Sequence, residues 1–292
     1  MMRRCLFRRS TWSFLNSASG ASPPKQHRHY TYKPSTHEWP SIYPVANGKR
    51  QSPINLALND PDITVPAAPY TPELTLDKYS SSDITSVENT GITVMFHAHE
   101  NATVITGGPI DASLGYRLLQ FHFHWGSHSH CGSEHLLNGR QFSAELHLVH
   151  FNTKYSGLDE AVEHEDGLVV VAAFLDAKES HPDNPAFTTV VENLQKVVEF
   201  GSSHAIEEPS IDCNCLLPRS QHHYATYKGS LTAPPLKECV RWVVLLEPVS
   251  ISERQMCEFR RLEDEHGEKL ENNYRHLQSM FGRKIMHCGC CI

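Results

Sequence analysis

Four of the twenty histidines in this 292-residue chain sit in two short runs, where the residues between them decide which way each imidazole points. In Gln120-Phe-His-Phe-His-Trp125, strand alternation puts His122 and His124 on one face and Phe121, Phe123 and Trp125 on the other. In Glu145-Leu-His-Leu-Val-His150 the same alternation groups Glu145, His147 and Val149 against Leu146, Leu148 and His150. If the two strands pair, His147 completes a triangle with His122 and His124. Three neutral imidazoles around Zn²⁺ leave the fourth tetrahedral position open to water, as a catalytic site needs, whereas a structural site takes four protein ligands. With no anionic ligand the metal keeps its full charge. In a chain with twenty histidines a chance His-x-His is unsurprising, and a pair hydrogen-bonded inside a cleft is the other reading of His122 and His124. His150, on the opposite face, and His135, beside Glu134, read as buried hydrogen-bonding residues.

The elements that must position these residues are mostly strands. Short apolar or alternating runs predict strands over Ile92–Phe96, Tyr116–Trp125, Phe142–Phe151, Leu168–Leu175 and Val240–Leu246. Asn138-Gly139, between the two histidine-bearing runs, favours the positive φ angles of a tight reversal, so those strands are expected to pair antiparallel. Leu168–Leu175 is apolar on both alternating faces and is expected to be covered on both sides. Helical spacing appears over Phe187–Phe200, with Val190, Val191, Leu194, Val197 and Val198 on one side, and again after Ser252. Ser252-Glu-Arg-Gln255 has the capping-box pattern, with Gly267 as its expected stop.

Length permits one large domain or two small ones. Apolar residues at 39% and charged residues at 20% are ordinary for a soluble body, and no apolar run approaches the roughly 18 residues of a membrane span. The net charge of −7 hides an asymmetry: residues 1–37 hold five Arg, two Lys and no acid, so the rest carries −14. An acidic body argues against a nucleic-acid groove, and a small or neutral substrate suits it better. Residues 1–28 are Arg- and Ser-rich, the composition of a mitochondrial transit segment, with a disordered basic tail as the alternative. Nine cysteines over this length are not a disulfide scaffold. Cys288, Cys290 and Cys291 crowd the last five residues, where Gly289 excludes a prenylation box. The expected division is a basic segment 1–28, one domain over 29–286 and a Cys-rich tail 287–292.

Gln120-Phe-His-Phe-His-Trp-Gly126, Gly132-Ser-Glu-His135, Ala144–Asn152 and Tyr227-Lys-Gly-Ser-Leu-Thr-Ala-Pro-Pro235 together resemble the alpha carbonic anhydrases. The resemblance runs from about Trp39, through Gln51–Leu56, to Asn273-Tyr-Arg275. It implies a mainly β, α+β single domain on a large twisted, mostly antiparallel sheet of about ten strands with short flanking helices. It implies a zinc enzyme that reversibly hydrates carbon dioxide to bicarbonate and a proton through zinc-bound hydroxide, with a weak esterase side activity. Carried over by motif, His122, His124 and His147 become the zinc ligands, and Gln120 and Glu145 orient His122 and His147 from behind. Thr232 would accept a hydrogen bond from the hydroxide and pass its own proton toward Glu134. Val149, Val170, Leu231, Val240 and Trp242 would form the apolar substrate wall, although each reads as ordinary core without the family.

Ala233 departs from the pattern, standing where many members have a second Thr. Ile92 occupies the position of the proton-shuttle histidine, with His97, His99 and Tyr30 as the other relay candidates. The cysteine that secreted members use has no counterpart around Ala46, which favours an intracellular protein, mitochondrial or cytoplasmic. Two other readings stand beside this one: a non-catalytic interaction module on the same fold, and a zinc hydrolase acting on esters. The retained histidines, Thr232 and Glu134 weigh against the first. Oligomeric state has no signature in the chain.

Overall fold

The computed structural model describes residues 30–33, 35–59, 74, 76, 78–110, 113–207 and 211–289. The basic segment 1–28 and the last two cysteines, Cys290 and Cys291, lie outside them. The structure is mainly β, as expected. A ten-stranded mixed sheet is built from β2 (Ile84–Asn89), β3 (Val94–Ala98), β4 (Val104–Ile105), β5 (Tyr116–Trp125), β7 (Ala144–Asn152), β8 (Leu168–Lys178), β9 (Ser203–Ala205), β10 (Tyr224–Gly229), β11 (Val240–Ser252) and β12 (Met286–Cys288). Its order is β12-β10-β11-β8-β7-β5-β3-β2-β9, with β4 beside β5. Every pairing is antiparallel except β8 with β11. Two short strands, β1 (Asn55–Leu56) and β6 (Leu136–Leu137), pair parallel in a separate sheet. No helix among the described residues is long and apolar enough to cross a membrane.

β5 and β7 pair antiparallel with His122 opposite His147. Asn138 and Gly139 take positive φ, 51° and 81°, but the reversal they make joins Leu137 to Arg140 instead of closing the β5–β7 hairpin. β8 lies between β7 and β11, and its side chains divide the interior. Val169, Val171, Ala173 and Leu175 face one cluster, with Phe121, Phe123, Leu146 and Val243. Leu168, Val170, Ala172 and Phe174 face another, with Val149, Val240 and Trp242. Phe96 stacks on Phe121 with centroids 4.5 Å apart, and truncating such a buried ring costs about 3–5 kcal/mol.

The strands expected over Phe142–Phe151, Leu168–Leu175 and Val240–Leu246 run instead over Ala144–Asn152, Leu168–Lys178 and Val240–Ser252, and three other boundaries move for a visible reason. The first strand begins at Val94, because residues 90–93 form a turn closed by Thr90 N–H to the Thr93 carbonyl at 3.0 Å. The helix expected over Phe187–Phe200 is only α3 (Thr188–Leu194); α1 is Trp39–Ile42 and α2 Leu158–Ala161. The adjacent β-branched Val197 and Val198 are poor helix formers, and the Val198 carbonyl is taken by the Glu263 N–H and the Asn89 amide, at 2.9 and 2.8 Å. After α4 (Cys213–Leu216), α5 (Glu253–Phe259) has its capping box, but ends well before Gly267. Gly267, at φ 74°, instead closes a turn in which its N–H reaches the Asp264 carbonyl at 3.0 Å.

Candidate metal centre

The strand register turns the alternation of β5 and β7 into a cluster. One ligand atom each from His122, His124 and His147 lies within 4.8 Å of the others. Their rings sit 4.6–5.2 Å apart, centroid to centroid. The opposite nitrogen of each ring meets an oxygen acceptor: His122 Nδ1 reaches Gln120 Oε1 at 2.9 Å, His124 Nδ1 the Asn273 carbonyl at 2.7 Å, and His147 Nε2 Glu145 Oε1 at 2.7 Å. An acceptor there requires the ring to donate, which leaves lone pairs on His122 Nε2, His124 Nε2 and His147 Nδ1. Burial disfavours the imidazolium form, lowering His122 well below the usual histidine range, and the neighbouring His124 and His147 add to this. His124 is lowered as well, again mainly by burial.

His124 Nε2 is buried and has no hydrogen-bond partner. An orphaned imidazole nitrogen in a protein interior costs about 1–3 kcal/mol unless something binds it. A divalent cation would bind it, and three converging imidazole nitrogens fit a metal, with Glu134 Oε2 beside them, 3.5 Å from His124 Nε2.

Glu145 is the pivot behind the cluster. Its Oε1 accepts from His147 and, at 2.6 Å, from His135 Nδ1, while Oε2 accepts the His135 backbone N–H at 2.8 Å. Burial pushes the Glu145 carboxyl up, but the two imidazoles outweigh it and hold the group well below the usual carboxylate range. From His135 Nε2 the chain of contacts runs through the Tyr227 hydroxyl at 2.6 Å to Ser52 Oγ at 2.9 Å. Ser52 Oγ accepts the Ser230 N–H at 3.1 Å, and Ser230 Oγ accepts the Ser52 N–H at 3.0 Å. The loop carrying Leu231, Thr232 and Ala233 is thus tied to the carboxylate that orients His147. His150 is apart, bonded to the Tyr79 hydroxyl at 3.0 Å on the other face.

The residues expected to form an apolar wall lie together on the histidine side of the sheet. Val149, Val170, Val240 and Trp242 share one buried cluster, with Leu231 packed against it and Ala233 half-buried beyond. The Trp242 ring lies 4.9 Å from the His147 ring, centroid to centroid. The expected Thr232–Glu134 hydrogen bond is not formed. Thr232 is buried, but Glu134 Oε1 accepts the Arg275 backbone N–H at 2.9 Å, and Oε2 is buried without a partner, 3.5 Å from His124 Nε2.

Ile92 is half-buried and lines a cavity of about 500 Å³ with Tyr30, Tyr32, Phe200, Leu270 and Asn273. Tyr30 thus shares the cavity with Ile92. His97 is paired with Glu88 at 3.2 Å, His99 Nδ1 accepts the Asn101 N–H, and neither lines the cavity. Three contributors had no chemical signature in the sequence. Asn273 acts on His124 through its carbonyl, Arg275 on Glu134 through its N–H, and Tyr32 by setting its ring 6.4 Å from that of His124. Backbone groups are the same at every residue, so only the spatial return of the chain reveals them.

A sequence model of the eukaryotic-type carbonic anhydrases matches residues 34–289. This chain belongs to the carbonic anhydrase family. It is 42% identical over 256 residues to human carbonic anhydrase 7, covering 85% of this chain and 91% of that protein. Mouse carbonic anhydrase 7 is 41% identical over 256 residues with the same coverage. Carbonic anhydrase 1 of Monodelphis domestica is 35% identical over 252 residues, covering 85% and 92%. The chain is therefore an enzyme of carbon dioxide hydration, and its three-histidine group is a site that could hold the metal such enzymes use.

Proposed function

We propose that this carbonic anhydrase works with a zinc ion held by His122, His124 and His147. The observation that carries the reading is the unpartnered, buried His124 Nε2 beside two imidazoles whose far nitrogens are already engaged. When bound, Zn²⁺ at three histidines brings the pKa of a water to about 7 and so supplies the nucleophile at neutral pH, carbonic anhydrase itself being the reference case. Gln120, Glu145 and the Asn273 carbonyl fix the tautomers that present lone pairs inward. Thr232 orients the attacking oxygen, passing its hydroxyl proton toward Glu134 Oε2. Arg275 holds that carboxylate in place through its N–H. Val149, Val170, Leu231, Val240 and Trp242 receive the nonpolar substrate and keep bulk water from it, while Ala233 supplies no hydroxyl to the bicarbonate product. Esters, attacked by the same nucleophile, are slow alternative substrates.

Each turnover also leaves a proton to deliver to solvent, and the Ile92 side chain has no atom to hold it. Release to bare water from an acid of pKa about 7 is limited to about 10³ s⁻¹, against about 10⁶ s⁻¹ for carbonic anhydrase at its fastest. Added imidazole buffer should therefore raise kcat and leave kcat/KM nearly fixed, and Ile92→His should raise kcat at low buffer. A high kcat insensitive to buffer would show another group already in that role. For the metal, zinc content and hydration rate should fall together on chelation and return together with Zn²⁺; full activity in metal-free protein would refute the reading. The basic composition of residues 1–28 supports delivery to mitochondria, which a reporter fused behind them would test by its location.

A further inference from the structure

Tyr227 joins the support of His147 to the loop that carries Thr232. Its hydroxyl lies 2.6 Å from His135 Nε2, on the way to Glu145 and His147, and donates to Ser52 Oγ at 2.9 Å, which in turn accepts the Ser230 N–H. Both contacts depend on how far apart Ser52 and Tyr227 are held. β10, which carries Tyr227, pairs with β11 and β12, and Ser52 belongs to neither. Strand pairing therefore does not set their spacing. Ser52, Tyr227 and His135 are all buried, so a shift of one is passed to the next.

Arg283 reaches both sides of that contact. Its Nη2 donates to the Gln51 carbonyl at 2.7 Å, immediately before Ser52, and its Nη1 to the Lys228 carbonyl at 3.3 Å, immediately after Tyr227. Nε donates to the Met280 carbonyl at 3.0 Å and Nη2 also to the Ser279 carbonyl at 2.8 Å, which anchors the guanidinium to its own turn. The guanidinium carbon stands 5.6 Å from the Tyr227 ring centroid, inside the range of a cation–π contact. A planar fork of five N–H donors can span carbonyls on separate segments in this way, whereas an ammonium offers its donors from a single atom.

We propose, on the assignment of His147 as a zinc ligand, that Arg283 is a positioning residue for the metal centre: its fork holds Ser52 and Tyr227 at one spacing, and through Tyr227, His135 and Glu145 it fixes the imidazole of His147. The path from the guanidinium runs over the Tyr227 ring to its hydroxyl, across His135 to Glu145 Oε1, and from there to His147 Nε2. Arg283 therefore acts by aim and not by coordination. Loss of the fork frees the Gln51 and Lys228 carbonyls, lets Ser52 and Tyr227 part, and leaves His135 Nε2 without a fixed partner. The hydrogen bond that turns the His147 lone pair inward loosens with it. Slack at Ser52 also reaches Ser230 through their reciprocal bonds, and so the loop carrying Thr232.

The test compares the full-length protein with Arg283→Lys, Tyr227→Phe and the two combined. Arg283→Lys keeps the charge and removes the fork, and Tyr227→Phe keeps the ring and removes the hydroxyl. Zinc affinity, measured in competition with a chelator, should fall about tenfold in each, the low end of what losing a partner behind a metal ligand costs, and no further in the double variant, because both cut one path. In metal-free protein the two-bond proton–nitrogen NMR signals of the His135 ring should shift in Arg283→Lys as they do in Tyr227→Phe, while those of His150, on the other face of the sheet, stay in place. This second measurement needs no zinc, so it decides the proposal even if His147 proves not to be a ligand. Losses that multiply in the double variant, full affinity in Arg283→Lys, or an unmoved His135 ring would overturn the proposal. A general shift that includes His150 would overturn it too, by marking Arg283 as a residue of overall stability.

Discussion

Among the described residues, two side-chain groups bring three possible metal-ligating atoms together, and they share His147. His122, His124 and His147 form one; His135, Glu145 and His147 form the other, each with its ligand atoms within 4.8 Å. In the second group the atoms are spent on one another: Glu145 accepts from both imidazoles, and His135 continues to Tyr227. In the first, hydrogen bonds engage only the outer nitrogens, and His124 Nε2 is left bare. Proximity is common among buried polar residues, whereas unspent lone pairs that converge are not, because each one costs stability until it is used.

The most severe way to break this contrast is His147→Ala, which removes a member of both groups. Metal binding and hydration should both vanish, and near-normal zinc content in the purified variant would refute the ligand assignment. Thr232→Ala should leave the metal bound and lower kcat by about 10²-fold, as losing one well-placed hydrogen-bonding group does. An unchanged stopped-flow rate would remove Thr232 from the mechanism. Glu145→Gln tests the second group as a support for the first. It keeps the shape but loses the charge that serves two imidazoles, and should weaken zinc affinity by about 10–100-fold in competition with a chelator.

The smallest effect concerns His150, a histidine belonging to neither group. Burial lowers it to about 3 in the folded protein, against a usual value of about 6.5. Its sign follows from proton binding: between those values the unfolded chain takes up a proton that the folded chain refuses, so stability falls as pH drops from about 6.5 toward 3. The slope per group is at most about 1.4 kcal/mol per pH unit. His150→Gln should flatten the decline seen in urea melts over that window, and an identical slope would show that other groups carry it.

Period-2 alternation made β5 legible to the residue, and the double apolar face of Leu168–Leu175 marked β8 as central, because both patterns are imposed by burial on specific sides. The helix over Phe187–Phe200 was misjudged in length since apolar spacing says nothing of who claims the Val198 carbonyl. Gly267 looked like a helix stop for a similar reason: a positive-φ glycine closes a turn as readily as a helix. The motif resemblance anticipated a Thr232–Glu134 contact, yet the carboxylate oxygen waits unpaired. That bond depends on where the loop carrying Thr232 settles, which residue order alone does not encode.

β8 has one more consequence. Its odd-numbered side chains enter the cluster that holds the sheet together, and its even-numbered ones, with Ala172 opposite His147 in register, enter the cluster beside the histidines. A single strand thus keeps two separate accounts with natural selection, one of folding and one of chemistry, on interleaved positions. Drift at Val171 or Ala173 can alter durability without reshaping the space next to His147, and drift at Val170 or Ala172 can retune that space while the opposite cluster stays intact. Lineages sharing this strand could diversify in turnover and in robustness along nearly independent routes.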